Sequence, residues 1–270
     1  MRVAILGSGP AGLLAAFAAH QQGNIVTIFS EGSRSDIFGA QYLHRAIPQL
    51  TNENPDMTID IAKVGTQQGY AKLVYGDRNA PVSWEHFEPG TIPAWDLRTV
   101  YANLWTMYEH LIVPGNVNWP DAARIAEDHD MTFSTIPMRH LCNRNGHKFP
   151  HINIWVLVQP PWMEKWDSGL HIMYYNGYPP DGSEGGWIGY DWYRFSKING
   201  WSAWEYTKPI DPETDLWGDR YIVQGMKPMG TDCTCAEFLG ITPIGRWGKW
   251  ERGVLTHHAY EAVTDALLKV

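Results

Sequence analysis

The residues with the clearest chemical consequence are Gly7-Ser8-Gly9-Pro10-Ala11-Gly12, a G-x-G-x-x-G run between an apolar segment and an alanine-rich one. At this spacing Gly7 permits a tight turn, Gly9 lets main chain approach a pyrophosphate, and Gly12 lets a helix pack closely on a strand. The amides after Pro10 and Ala11 then open the helix and present its positive end to a diphosphate. The pattern continues to Ala16, and Gly23 precedes a second apolar run. The ribose end departs from the simple dinucleotide pattern. Ser30 stands where an acidic residue would accept ribose hydroxyls, and Glu31 follows one position later. Ser30, Ser33 and Arg34 together can accommodate a 2′-phosphate. FAD and NADP are therefore both open on the motif alone.

Other residue types offer less. His44 follows the Gly39-Ala40 turn and is a candidate acid/base or hydrogen-bond partner for a substrate; His257, beside His258 near the C-terminus, is a second. Cys233-Thr234-Cys235 has C-x-C spacing and no neighbouring second pair, whereas a zinc site wants four ligands. His140, Cys142, His147 and His151 cluster in sequence without a familiar ligand spacing. No metal is expected, and these residues read as a polar loop. A G-x-S-x-G elbow, a P-loop and an H-E-x-x-H helix are all missing from the sequence, which removes support for hydrolase and kinase chemistry.

The elements that must position these groups follow from periodicity. Residues 2–6 and 25–29 are continuous apolar runs, as in central parallel strands, and residues 11–22 form the helix between them. Residues 96–112 repeat apolar positions every three or four residues and predict a helix that stops at Pro114-Gly115. A strand is expected at 131–136, ending at Pro137. Short strands are expected at 70–75, 154–158, 170–175, 187–195 and 221–224, then strand and loop over 241–250 and a helix over 254–269. Most of the 14 tryptophans follow residue 150, as packing groups of a strand-rich core or as an aromatic wall around a planar ligand. With 270 residues, 44% hydrophobic and 19% charged, the chain can bury a sizeable core. A net charge of −8 gives no obvious nucleic-acid surface. Three cysteines, no signal-like segment and no long apolar stretch lead to the expectation of a cytoplasmic protein.

Three further segments resemble signatures of the FAD-dependent superfamily that includes UDP-galactopyranose mutases, flavin amine oxidases and hydroxybenzoate-hydroxylase-like monooxygenases. They are Phe38-Gly39-Ala40-Gln41-Tyr42-Leu43-His44, Trp95-Asp96-Leu97-Arg98, and Ile244-Gly245-Arg246-Trp247-Gly248-Lys249-Trp250. Ser134-Thr135-Ile136-Pro137 is similar to the superfamily's late strand that ends at the cofactor. The resemblance covers roughly residues 1–45, 95–137 and 240–268 and favours FAD over NADP. It implies cofactor contacts from Gly39, Ala40, Gln41, Arg98, Thr135, Ile136, Pro137, Gly245, Arg246, Trp247 and Trp250, besides the first glycine loop, Ser30, Glu31 and Arg34. It implies an α/β fold: a Rossmann-type FAD-binding domain from residues 1–50, 95–140 and 239–270, with a smaller, mainly antiparallel β-rich substrate region from 51–94 and 141–238. The expected activity is oxidation or reduction of a small or side-chain-sized organic molecule, such as an amine or hydroxylated compound. A redox-neutral mutase-like enzyme and a non-enzymatic nucleotide-binding module are the alternatives. No second G-x-G-x-x-G follows a strand, so any NAD(P)H reductant would bind transiently.

Overall fold

The computed structural model describes residues 1–34, 36–38, 41–64, 66–75, 77, 79–81, 90–158, 171–175, 192–210 and 222–270. Gly39 and Ala40, residue 170, the 187–191 start of one expected strand and Tyr221 lie outside the described residues.

The first layer grows from the βαβ unit at the N-terminus. Strand β1 (Arg2–Leu6) leads through the glycine loop into helix α1 (Pro10–Gln21) and strand β2 (Ile25–Ser30). Gly12 through Ala19 of α1 are all buried. A helix that is apolar all round must be covered on every side. Two helices provide that cover: α3 (Leu97–Tyr108) and the C-terminal α7 (His258–Leu267). The Phe17 and Tyr260 rings lie 6.3 Å apart, and the Tyr260 hydroxyl is 2.8 Å from Gln21 Oε1. His20 Nδ1 lies 3.1 Å from the Tyr108 hydroxyl. Strands β6 (Ile112–Pro114), β7 (Met131–Ser134) and β13 (Ile241–Pro243) complete an all-parallel five-stranded sheet in the order β13-β7-β1-β2-β6. Its other face is covered by α4 (Trp119–Asp128) and the Trp250 region, where Leu6, Ile125, Met138 and Trp250 share one apolar cluster.

The second layer has eight strands. Besides β3 (Tyr42–Leu43), they are β4 (Met57–Val64), β5 (Gly90–Asp96), β8 (His151–Val158), β9 (Ile172–Tyr175), β10 (Trp192–Ile198), β11 (Trp201–Tyr206) and β12 (Ile222–Pro228). Their order is β12-β8-β11-β10-β9-β4-β5-β3, antiparallel throughout except for β4 beside β9. The fold class is thus the expected one, an α/β Rossmann-like parallel sheet joined to antiparallel strands.

Several local expectations are corrected. Residues 70–75 are not a strand but the end of helix α2 (Gln67–Tyr75), started by the Thr66 hydroxyl, which accepts the Gly69 amide at 3.0 Å. The segment after Pro243 is not a loop but a turn of helix, α6 (Gly245–Gly248), and the last helix starts at His258 rather than near 254. Strands β3, β4, β5, β6 and β11, helix α4 and the short helix at Cys235–Phe238 carry no counterpart in the sequence reading, although for α4 Asn118 and Asp121 form a reciprocal capping box and Pro120 sits in the first turn.

Asp96 joins the layers. It ends β5, caps α3 by accepting the Arg98 amide (2.9 Å) and the Thr99 hydroxyl (2.9 Å), and accepts the Asn199 side-chain amide from the β10–β11 turn (3.0 Å).

Candidate functional site

The carboxyl ends of four neighbouring strands, β13, β7, β1 and β2, open on one edge of the parallel sheet, the edge where open α/β sheets bind ligands. Main-chain bonds close this edge: Gly7 N–H to Phe29 (2.8 Å), Thr135 N–H to Leu6 (2.8 Å) and Ile244 N–H to Ser134 (2.8 Å). Gly7 has φ +103°, and a side chain there would overlap the Thr135 hydroxyl. At Gly12 a Cβ would overlap the Gly7 carbonyl, so α1 and the loop touch backbone to backbone. Gly245 and Gly248 do the same from the other end of the chain. A Cβ on Gly245 would come within 3.1 Å of Ala11 Cβ, and one on Gly248 would overlap the Ser134 carbonyl.

Gly9 differs from these. A Cβ there would meet nothing within 4 Å. It is the N-cap of α1, with no capping side chain and no acidic residue in the first turn. Pro10 occupies the first helical position, and the leading amides of such a helix have no intrahelical acceptor. Open space beside free donors at a positive helix end is what a diphosphate requires.

The flanking groups are ordered by side chains. Ser8 and Ser30 hydroxyls lie 2.6 Å apart, and the Thr135 hydroxyl donates to the Leu6 carbonyl at 3.1 Å. The Ile136 amide donates to the Ser134 hydroxyl (3.2 Å), and the Pro137 carbonyl starts a 3₁₀ turn by accepting the His140 amide. Tyr101, which sequence reasoning treated only as an apolar helix position, donates its hydroxyl to the Ser8 carbonyl at 3.1 Å. The Arg34 guanidinium lies 5.7 Å over the Tyr101 ring. Arg98 reaches the Ile37 carbonyl (3.5 Å) and stacks 5.0 Å over Trp201, so it bridges to the second layer. Gln41 donates its side-chain amide to the Phe38 carbonyl. Glu31 is exposed, and its charge favours protonation of His140, whose pKa is nevertheless lowered by burial and by Arg139.

The C-terminal segment divides. Gly245 meets the glycine loop, while the Arg246 Nε–H donates to the Val254 carbonyl at 3.2 Å. Trp247 and Trp250 lie 5.7 Å apart in the apolar cluster on the α4 face of the sheet. Trp250 is fully buried, and its indole N–H donates to the Pro150 carbonyl at 2.9 Å. The expected cofactor contact of Trp250 is corrected to a packing role, because a side chain closed off by protein cannot meet a ligand.

His44 and His257 come together, with ring centroids 6.1 Å apart and His258 4.5 Å from His257. His44 is exposed and leans on Tyr42 at 4.6 Å. His257 is buried, and its Nδ1 has no hydrogen-bond partner among the described residues. Burial, then His258, His44 and Arg45, push His257 down to about 4; burial and His258 also lower His44. The route from this cluster to the glycine loop runs through α7, which packs along α1.

A further charged group was not anticipated. Glu205, 1% exposed in β11, pairs with Arg194 of β10 and with Lys227 of β12 at 3.0 Å. Burial pushes the Lys227 ammonium down to about 8 against the pull of Glu205, and Arg194 and Arg246 push the same way as burial. The only sequence signal was a carboxylate inside the apolar run Trp201-Ser202-Ala203-Trp204-Glu205-Tyr206.

The fold and this edge define a class: a two-layer α/β protein whose Rossmann-like parallel sheet carries its glycine loop at the carboxyl edge. Among the solved structures that share the fold are the following two. One is a reduced UDP-galactopyranose mutase (TM-score 0.56, 12% identity), matched over 100% of this chain and 96% of that one. The other is the p-nitrophenol 4-monooxygenase PnpA from Pseudomonas putida (TM-score 0.53, 11% identity), matched over 99% and 80%. The first carries the name of a group cited in the sequence resemblance and the second is a monooxygenase, so the resemblance is matched at the level of the fold. No protein-family model matches the chain, and no curated protein matches it in sequence.

Proposed function

We propose that this protein binds FAD along the carboxyl edge of the parallel sheet and acts as an oxidoreductase on a small or side-chain-sized organic molecule. The observation that carries the reading is the meeting of three distant segments, Gly7–Gly12, Ser134–Ile136 and Gly245–Gly248, through close-packed glycines, of which only Gly9 has open space where a side chain would stand. The amides opening α1 would hold the diphosphate, with Ser30, Glu31 and Arg34 toward the ribose and Gly245 and Arg246 toward the ring end. When bound, the flavin supplies the electron-transferring ring, so few catalytic side chains are needed. His44, on the exposed side of the cluster, would serve as hydrogen-bond or proton-transfer partner of the substrate, and His257, kept neutral chiefly by burial, would stand behind it as the second candidate. The cofactor domain is taken from residues 1–50, 95–140 and 239–270, and the substrate side from 51–94 and 141–238, with β3 handing the chain from one to the other.

The test is the absorption spectrum of the purified protein, with the released cofactor identified by mass, followed by titration with FAD, FMN and NADP. Preferential FAD binding is expected; NADP binding without FAD binding overturns the reading. A redox-neutral, mutase-like reaction is the second reading, supported by the near end-to-end match to the mutase structure. Steady turnover that consumes NAD(P)H as a transient reductant favours the oxidoreductase. Turnover by the reduced protein without net consumption of reductant favours the mutase-like reaction.

A further inference from the structure

Away from the carboxyl edge, Cys142, His147, Cys233 and Cys235 converge so that their sulfur atoms and a ring nitrogen all lie within 4.8 Å of one another. The Cys142 and Cys235 sulfurs are 3.7 Å apart. His147 Nδ1 lies 3.3 Å from Cys142 Sγ and 3.6 Å from Cys235 Sγ. All three cysteines are free thiols, with Cys233 and Cys235 buried and Cys142 and His147 half-buried.

These separations can be compared with those a metal imposes. Tetrahedral zinc holds sulfur at about 2.3 Å and imidazole nitrogen at about 2.0–2.1 Å, which puts sulfur about 3.8 Å from sulfur and about 3.6 Å from nitrogen. The three separations among Cys142, Cys235 and His147 match that tetrahedron to within a few tenths of an ångström, and Cys233 Sγ lies within 4.8 Å of each of the other three ligand atoms. The ligand count of four, the soft donors and the closed arrangement are those of a structural site rather than a catalytic one, which keeps a position open for water. The reason for discounting Cys233-Thr234-Cys235, the want of a second pair, is removed: Cys142 and His147 are that pair, distant in sequence.

We propose that Cys142, His147, Cys233 and Cys235 bind one structural zinc ion. Its place in the chain gives it a purpose. Cys142 and His147 lie just before β8, where the chain leaves the parallel sheet for the second layer; Cys233 and Cys235 lie just after β12, where it returns. The two segments already run side by side, with the Thr231 hydroxyl donating to the Lys148 carbonyl (2.8 Å) and the Met229 amide to the Pro150 carbonyl (3.0 Å). A metal there closes the base of the 151–228 excursion as a cross-link would, withdrawing chain entropy from the unfolded state. It also fixes helix α5 (Cys235–Phe238), which leads into β13 and so to Gly245 at the glycine loop. An open cleft of about 690 Å³, lined by Cys233, Asp232 and Glu237 among others, gives the ion a route in.

The experiment reads metal, not flavin, so it stands apart from the cofactor assignment. Protein purified without chelator is assayed for elemental zinc, and metal-stripped protein is titrated with Co²⁺ under reducing conditions. About one zinc per chain is expected, with thiolate-to-cobalt charge-transfer and tetrahedral d–d bands saturating at one equivalent. Cys142→Ser combined with Cys235→Ser lowers the zinc content at least about fivefold, whereas His147→Cys, which keeps four zinc donors, retains it. If the double variant does not fold, the cobalt titration of the stripped wild type decides. Absence of zinc together with absence of thiolate bands overturns the proposal, as does a Cys142–Cys235 disulfide in the protein as purified or undiminished zinc in a folded double variant.

Discussion

The carboxyl edge of the parallel sheet and the Glu205 region of the antiparallel sheet solve the problem of burying polar groups in opposite ways. At the edge, main chain meets main chain: Gly12 lies on the Gly7 carbonyl, Gly248 on the Ser134 carbonyl, and few side chains intervene. In the second layer three charged side chains on three strands compensate one another around Glu205. The first arrangement requires the absence of a Cβ at fixed points, whereas the second needs opposite charges at matched positions. Insertion of a methyl group should therefore injure the edge, and removal of a charge should injure the sheet.

The largest expected effect comes from removing that anion. Glu205→Leu removes the buried carboxylate that Arg194 and Lys227 share and should cost about 3–5 kcal/mol in urea unfolding. A loss under about 1 kcal/mol would show that water compensates the two cations and would erase the contrast. The next effect is one of pH. His257 is lowered to about 4 when folded, so the unfolded chain takes up a proton that the native protein resists. The stabilising contribution is whole above about pH 6.5 and is lost as pH falls toward 4, by up to about 3 kcal/mol. Unfolding midpoints measured across that window should fall for the wild type and fall less for His257→Gln; parallel curves would place the titration elsewhere.

Glycine pairs sharpen the comparison within the edge. Gly12→Ala must displace α1 from the loop and should destabilise by about 2 kcal/mol, with a parallel loss of cofactor affinity. A Cβ at Gly9 meets no protein atom within 4 Å, so Gly9→Val should lower the thermal midpoint by little more than the lost N-cap preference of glycine, while FAD affinity falls at least about 100-fold. Equal behaviour of the two variants would mean that the space at Gly9 is not where the diphosphate sits. Smallest is Tyr101→Phe, which deletes the bond to the Ser8 carbonyl and should cost about 1 kcal/mol.

How much of this was legible depended on distance along the chain. The glycine loop is local, so β1, α1, β2 and the roles of Gly7, Gly9 and Gly12 could be read from one short stretch. The late contacts of Thr135 and Gly245 could be read only through resemblance, since nothing near them in sequence shows that they meet Gly7 and Ala11. Residues 70–75 misled because a short apolar run fits a strand as well as a helix, and the deciding signal, the Thr66 cap, lies outside it. Trp250 misled because a tryptophan near a glycine-rich turn reads equally as ligand wall and as core. The pairing of Glu205 with Arg194 and Lys227, and of Cys233 and Cys235 with Cys142 and His147, could not be read for one reason. Each joins residues brought together only by strand order, and spacing rules do not reach across a sheet.

Asp96 has a mechanical consequence. Its carboxylate is shared between the first turn of α3 and the β10–β11 turn, with Oδ2 accepting from Thr99 and Asn199 and Oδ1 from the Arg98 amide. Sliding one layer past the other would pull those oxygens from α3 and uncap it, at about 1 kcal/mol. Three residues along that helix, Tyr101 grips the Ser8 carbonyl. Displacement of the β10–β11 turn is therefore felt at the glycine loop through one short rigid lever, with Asp96 as its pivot.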